Sequence, residues 1–560
     1  MRRKTVSNNL KLLDPVQVQA MMYEEAPRNL PRLYTSTLLL RSAFGVVTIL
    51  LPVYLKDLSD SGLGPNFSGL QIGLIVGSIF ISEIALVTIF GRLSDIMHRR
   101  VPLIVVGNII AALGLSMFSF FDNFTILFTA HLVEGIGAAM VTGPALAMIG
   151  DSSKPEERGA NMGLYETVTF GGMAVGFLVG GVLYDLLGGI HGGGRYTFII
   201  SGLFLIGGSI YASQMHEPHA QSFQEEFSIV KRFYRETVPH IYFILIGSGM
   251  IVSVFVISTI NGLAAGSVTL ISVLLGTGVN LQYKLTFWGA GLFILLLGFL
   301  DFYLEETATP EERVPLGGEN HSHFDELAEA LNDKDLKRIL PAWYMVMIIL
   351  GVIVTFLPII LKEGSLSSGP AQGDIPAANQ AISQGLNTSM VGIYFVVGVS
   401  LLGVLQIFFG KMVDKWGRRP VLSIGVSSIT LLTLEVTLAI LFFPSWFSGF
   451  STTQGTIFLL FAALTGMGVS AFGPAALAVL ADNSTPTNRG TASGIYSLLL
   501  GLGHLTGDII GGSLWDLGDS LGGNRGSASM IFGFCFVLAG LAFFFVHSIE
   551  KSPVKNSVVS

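Results

Sequence analysis

Eight ionisable residues stand in stretches that are otherwise almost wholly apolar: Arg41, Glu83, His131, Glu134, Glu166, Glu435, His504 and Asp508. Two spacings among them suit proton chemistry. His131 and Glu134 are three residues apart and His504 and Asp508 four, so on a helix each pair shares a face about one turn apart. An imidazole titrates near neutral pH and, beside a carboxylate, could take up and release a proton. For His131 and Glu134 the alternative is a satisfied buried pair, and for His504 and Asp508 a place on an aqueous vestibule. Arg41 and Glu83 each lie about eight residues, or ~12 Å, from the same end of their apolar segments, so they could neutralise one another with or without a transport role. A different chemistry is suggested by GRLSDIMHRR (Gly91 to Arg100) and GKMVDKWGRR (Gly410 to Arg419). An aspartate just past a helix end can meet the positive N-terminus of another helix, and the arginines after it can hold lipid phosphates or a carboxylate. That would make a latch; the plainer alternative is a basic loop that fixes membrane topology.

The elements that position these residues have to be membrane spans. Of 560 residues, 51% are hydrophobic and only 12% charged, against roughly 25% charged in soluble domains. A charge near the bilayer centre costs about 2.5 to 3.5 kcal/mol on insertion scales, which is why the eight embedded groups call for partners, water or a function. The 68 glycines follow no collagen period. A net charge of −7 offers no basic surface to nucleic acid, and the single Cys535 excludes a disulfide framework or a cysteine metal site. His321 and His323 lack partners at ligand spacing and read as solvated loop residues, so neither a metal nor a cofactor is expected.

A helical span needs ~20 mostly apolar residues. The sequence predicts fourteen, at 34–55, 68–91, 101–121, 125–149, 161–186, 197–213, 240–261, 284–303, 340–361, 390–410, 420–442, 454–480, 491–516 and 528–547. The chain therefore divides into a tail (1–33), a six-helix bundle (34–213), a central region with two extra helices and a linker (214–339), a second six-helix bundle (340–547) and a short tail (548–560). No cleavable signal is apparent in 1–33. Of 31 Lys and Arg, only Lys56, Arg195, Lys284, Lys362 and Arg525 fall on the side opposite the N-terminus, with Arg41 inside a span. Basic loops stay in the cytoplasm, so both termini are expected there.

An internal repeat runs through the chain at an offset of about 331 residues. Gly143-Pro144-Ala145 recurs as Gly473-Pro474-Ala475, Asp151 as Asp482, Arg158-Gly159 as Arg489-Gly490, Gly180-Gly181 as Gly511-Gly512, and Tyr184-Asp185 as Trp515-Asp516. The two loop motifs repeat at an offset of 319. Their pattern resembles the GxxxDxxGR[RK] loop of the major facilitator superfamily. Gly410, Asp414, Gly417, Arg418 and Arg419 complete it, while Gly91, Asp95, Arg99 and Arg100 have His98 where glycine is usual. The resemblance implies an all-α membrane fold of two pseudo-symmetric six-helix bundles. An inserted central pair is similar to the drug:proton antiporter branch. It further implies Asp95 near the helix start at Gly490, Asp414 near Gly159, and Arg99 with Asp151 and Arg418 with Asp482 completing each latch.

Gly163, Gly172, Gly176, Gly180 and Gly181 resemble the family's antiporter motif, with Phe177 where the family has proline. Gly494, Gly503, Gly507, Gly511 and Gly512 repeat the register, with Asp508 in that position. Small residues at four-residue spacing let helices approach closely, so packing at the interface between the bundles is the plainer expectation. HLVEGIGAA (His131 to Ala139) is similar to the family's fourth-helix RxxxGxG, with His131 in the place of an arginine linked to proton coupling. Pro144 and Pro474 are expected to kink their helices symmetrically. Together these readings predict a monomeric secondary transporter in the cell membrane, contacting lipid and moving a small, largely apolar organic compound by alternating access, most simply in exchange for protons. A facilitator or symporter of a small metabolite, and a non-transporting sensor or assembly factor on the same fold, are the alternatives.

Overall fold

The computed structural model describes residues 15–97, 99–154, 157–216, 334–363, 386–443, 453–482 and 489–547. Among them the helices, in chain order, are α1 (Pro15–Ser61), α2 (Gly69–Met97), α3 (Val101–Met117), α4 (Phe124–Ser152), α5 (Arg158–Leu186), α6 (Gly193–Ser213), α7 (Lys334–Glu363), α8 (Thr388–Trp416), α9 (Arg418–Phe442), α10 (Thr453–Met467), α11 (Phe472–Asp482) and α12 (Arg489–His547). No strand occurs among the described residues. A backbone in lipid must satisfy its own polar groups, and helices do so without a partner. Their outward faces stay apolar, with Leu113, Leu203, Val404 and Phe544 each more than half exposed.

Two breaks depart from a simple helix series. In α12, Gly522 and Gly523 leave helical angles, and Gly523 takes φ +58, a region costly for any residue with a Cβ. This separates a first arm from a second. Helices α10 and α11 form one crossing, interrupted by the 3-10 turn Gly468–Ala471 just before Gly473-Pro474. The matching Pro144 lies inside an unbroken α4, so of the two symmetric kinks expected only one interrupts its helix. Among the described residues ten stretches are long and apolar enough to cross a membrane, and Val101–Met117 is a shorter apolar helix. Dividing Leu498–His547 at the bend gives two arms. The predicted spans at 240–261 and 284–303 and most of the linker lie outside the described residues, which therefore leave the count of fourteen unestablished. Helix α1 begins at Pro15 and continues through Pro27 and Pro31, so a helix occupies much of the expected N-terminal tail.

Both ends of the bundle are tied by side chains. At the terminal face, where α1 starts and α6 and α12 end, Asn29 grips the residue after α6. Its Nδ2 donates to the His216 carbonyl at 2.7 Å and its Oδ1 accepts from the His216 amide at 3.0 Å. Arg32 donates to the Gln214 carbonyl and Arg419 to that of His547, each at a helix C-terminus where cations are favoured. At the opposite, distal face, Tyr54 and Arg195 converge on Asp122 at 3.2 and 3.0 Å. Gly417 sits between α8 and α9 with φ +87, which gives a physical reason for glycine at that place in the loop motif.

The repeated glycines pack mainly within each half. A Cβ on Gly172, Gly176 or Gly180 would meet Leu38, Arg41, Ser42, Gly45 or Val46 of α1. One on Gly503, Gly507 or Gly511 would meet Met347, Ile348, Gly351, Val352 or Phe356 of α7. The expectation that the register lies between the bundles is thus corrected: i, i+4 glycines seat the neighbouring helix of the same half. A Cβ on Gly163 would meet nothing within 4 Å.

Candidate functional site

The last glycine of each register does cross between halves. A Cβ at Gly512 would collide with the Gly69 carbonyl and Leu70 of α2, and one at Gly181 with the Thr388 carbonyl of α8. Four residues further along each helix stands an aspartate. Asp516 accepts from the Gly69 and Leu70 amides at 2.5 and 3.0 Å, the first two of α2. Asp185 accepts from the Ser389 amide at 2.7 Å and the Ser389 hydroxyl at 2.6 Å, in the first turn of α8. Helix starts leave amides unpaired, and a carboxylate satisfies them and the helix dipole together. Ser68 and Gln71 take up α2's remaining need as a reciprocal capping pair, and Asn387 caps α8 locally. So each half reaches across with one carboxylate and caps a helix of the other.

Between these two seams α1 meets α7. Lys56 pairs with Glu363 at 3.3 Å, and Asp57 accepts from both Lys362 and the Tyr184 hydroxyl. Lys362 also lies 5.2 Å from the Tyr184 ring centre, in cation–π range. The distal face is therefore closed by three pairs of helices. Sequence reasoning used Lys56 and Lys362 only for topology and noticed Asp185 and Asp516 only as a repeat. The signal available was the offset itself, which places Asp185 and Asp516 at equivalent helix ends.

Toward the terminal face α5 becomes exposed on the side that it turns to the other half at Phe177. Glu166 lies about three turns from Phe177 on the same face of α5, yet Glu166, Thr167 and Gly171 are exposed where Phe177 is 2% exposed. Arg41 of α1 comes to this region. Its guanidinium lies 6.0 Å from the Phe44 ring centre, and its charge acts on Glu83, Tyr165 and Glu166. Arg41 and Glu83 fall in one electrostatic neighbourhood, with Glu166 as a second carboxylate.

Of the remaining embedded groups, His131, Glu134 and Asp508 are buried, and His504 and Glu435 half-buried. His131 Nε2 lies 3.6 Å from a Glu134 oxygen, and its Nδ1 meets the Ile75 carbonyl at 2.7 Å. Glu134 is 0% exposed and neither of its oxygens has a hydrogen bond. The pair sits among α2, α3 and α4, inside the first half, with Phe118 edge-on to the imidazole at 5.6 Å. His504 and Asp508 turn to different partners. His504 meets the Leu500 carbonyl at 2.8 Å and the Phe80 ring at 4.9 Å, whereas Asp508 accepts from the Thr355 hydroxyl at 2.6 Å. Asp508 is 1% exposed, so in this conformation it lines no vestibule. Glu435 accepts from Thr465 at 2.9 Å, which joins α9 to α10.

In the loop motifs, Arg100 donates to the Ser94 hydroxyl at 2.8 Å. Gly91 and Gly410 each have open space where a Cβ would stand. Arg99 and Arg418 are at the terminal face with their motifs. The side chains of Asp95, Asp151, Asp414 and Asp482 lie outside the described residues, and with them the expected latch contacts.

The family model described as Major Facilitator Superfamily matches residues 33–261, 253–434 and 375–559. The chain is 27% identical over 154 residues to the quinolone resistance protein NorA of Staphylococcus aureus (strain Mu50 / ATCC 700699), across 28% of this chain and 38% of that one. It is 25% identical over 199 residues to the probable vesicular acetylcholine transporter-B of Danio rerio, across 35% and 39%. The chain thus spans under half the length of these curated relatives. Among solved structures, the nucleoside transporter NupG superposes with a TM-score of 0.58 at 12% identity, covering 93% of this chain and 99% of that one. The POT family transporter PepTSo gives 0.57 at 13%, covering 94% and 99%. Identities this low speak for fold alone.

Proposed function

Since this chain belongs to the major facilitator superfamily and is a multi-pass membrane transporter, we propose that it exports a small, largely apolar organic compound from the cytoplasm in exchange for protons. The terminal face is the cytoplasmic one, and the protein works as a monomer in the cell membrane. One observation carries this reading: the same inter-half interface is capped and glycine-packed at the distal face but exposed at Glu166 and Thr167 nearer the terminal face. A solute would enter from the terminal side in this conformation and leave after the distal seams separate.

The motif loops at the terminal face supply the opposite closure. In the distally open state Asp95 and Asp414 would cap helices of the facing half, as Asp185 and Asp516 do in the present one. Protons are favoured as the coupling ion because the embedded groups include the His131 and Glu134 pair, where protonation discharges a carboxylate that has no hydrogen-bond donor. Arg41, Glu83 and Glu166 line the route taken by the solute. Similarity over part of the chain to a quinolone resistance protein supports an organic substrate.

Proteoliposomes under an imposed pH gradient test the proposal. An exporter of this kind releases protons only when substrate is present, and Glu134→Gln uncouples substrate flux from the gradient. Unchanged pH dependence in the Gln variant would remove Glu134 from the proton route. Substrate accumulation along with proton entry would mean symport, and absence of flux for every compound class would point to a sensor.

A further inference from the structure

The two distal seams repeat one another in their glycines and capping aspartates but differ in chemistry at one packed position. Asp516 and Asp185 are 331 residues apart, as are Gly512 and Gly181; Leu70 and Ser389, whose amides they cap, are 319 apart, as are Gly73 and Gly392. The packing repeats too. A Cβ on Gly73 would strike the Asp508 carbonyl, and one on Gly392 the Phe177 carbonyl. Phe177 and Asp508 are therefore equivalent backbone positions carrying opposite chemistry. On the α5 and α8 seam, Phe177 meets Phe395 edge-on at 5.6 Å, an apolar contact indifferent to pH. On the α2 and α12 seam, the side chain is a carboxylate. Gly77 faces it where the other seam has Val396, and a Cβ there would stand 3.2 Å from Asp508 Oδ2. The glycine leaves room for an acid.

We propose that Asp508 is the proton-binding residue that decides whether the distal closure holds, and that it acts through the α2 and α12 seam. This deepens the two-state reading above and rests on it. With the seam closed, Oδ1 has the Thr355 hydroxyl, and Oδ2 is buried without a partner. From α2 the facing groups are Gly73, Gly77 and, one turn along, Phe80 against His504; from α7 they are Thr355 and Gly351. His504 stands one turn away on the same arm, and no lysine or arginine acts on Asp508 among the described residues. An ionised carboxylate in such a place is strongly disfavoured. Closing the seam thus requires one proton from water, added to the carboxylate to give a neutral carboxyl; opening admits water and lets that proton leave. Nothing is oxidised or reduced.

An unpartnered oxygen sets Asp508 apart from the other acids of the closure. Asp185 and Asp516 cap helices, and Asp57 and Glu363 meet lysines. Of these acids, Asp508 is the one with a buried oxygen that has no partner.

The test uses spin labels on full-length protein in nanodiscs, with Cys535→Ala as background and no substrate or gradient. One labelled pair, at Asn66 and Leu521, spans the α2 and α12 seam; the other, at Leu186 and Met390, spans the α5 and α8 seam. All four sites are exposed. Across the range where one proton is linked, the closed-to-open ratio of the first pair should rise about tenfold per unit fall in pH. Asp508→Asn should keep that seam closed and remove this rise, and Asp508→Glu should retain it. A first pair that does not tighten as pH falls, or an Asn variant that responds like the wild type, overturns the proposal. So does a second pair whose tightening in acid persists in Asp508→Asn. If the seam behaves as stated while liposomes show no proton exchange, the export reading fails and this one stands; antiport with a pH-indifferent seam has the reverse meaning.

Discussion

Replacing Asp516 by alanine should shift the conformational equilibrium without unfolding the protein. The carboxylate accepts two amides at the start of α2, at 2.5 and 3.0 Å, from a helix of the other half. A partly buried carboxylate at a helix N-terminus is worth up to ~2 kcal/mol, and hydrogen bonds to a charged acceptor about 1.5 to 3 kcal/mol before the competing solvation of the open state. Taking ~2 kcal/mol as the net, with each 1.4 kcal/mol a factor of ten, the distally open population rises roughly 30-fold. A cysteine at Leu505, which faces Gly77 across the seam, reports it. Its labelling by a membrane-impermeant maleimide from the distal side should accelerate by that factor while opening is rare. Cys535 is fully buried and does not compete. The thermal midpoint should barely move, because the open state is still folded. Asp185→Ala should act similarly through the other seam, and the two should combine nearly additively if the seams are independent. A labelling rate unchanged within twofold in the double variant would show that these carboxylates do not hold the closure.

Further expectations separate closure from folding. Asp57→Lys gathers three lysines at the ends of α1 and α7 and should favour the distally open state; adding Lys362→Asp should restore much of the closure, apart from the Tyr184 contact, as read by the same labelling assay. Gly176→Ala places a Cβ against the Ser42 carbonyl and Gly45 inside one half, so a lowered thermal midpoint, from an overpacking cost of about 1 to 3 kcal/mol, is expected. Gly181→Ala places one against the Thr388 carbonyl between halves, so there the labelling rate should change far more than the midpoint. If both variants alter only stability, the division between packing within and between halves is mistaken.

Much of this molecule is legible along the chain because lipid leaves a span few options. Apolar length fixed where most helices lie, and duplicated glycines, aspartates and arginines exposed two related halves before any geometry was known. The Phe177 and Asp508 difference was visible as two letters at equivalent places. What those letters touch was not. The glycine register reads as an interface between bundles, yet Gly172, Gly176 and Gly180 seat α1 of their own half and only Gly181 crosses, because which face of a helix meets which neighbour depends on packing among distant segments. His504 and Asp508 share a helix turn, but residues from α2 and α7 draw them to separate partners. The caps at α2 and α8 join residues hundreds of positions apart, and capping is recognised in sequence only when donor and acceptor are close along the chain. Sequence determined the halves and their charges; the folded bundle alone decided which surfaces of the halves meet, and so which side of the membrane is shut.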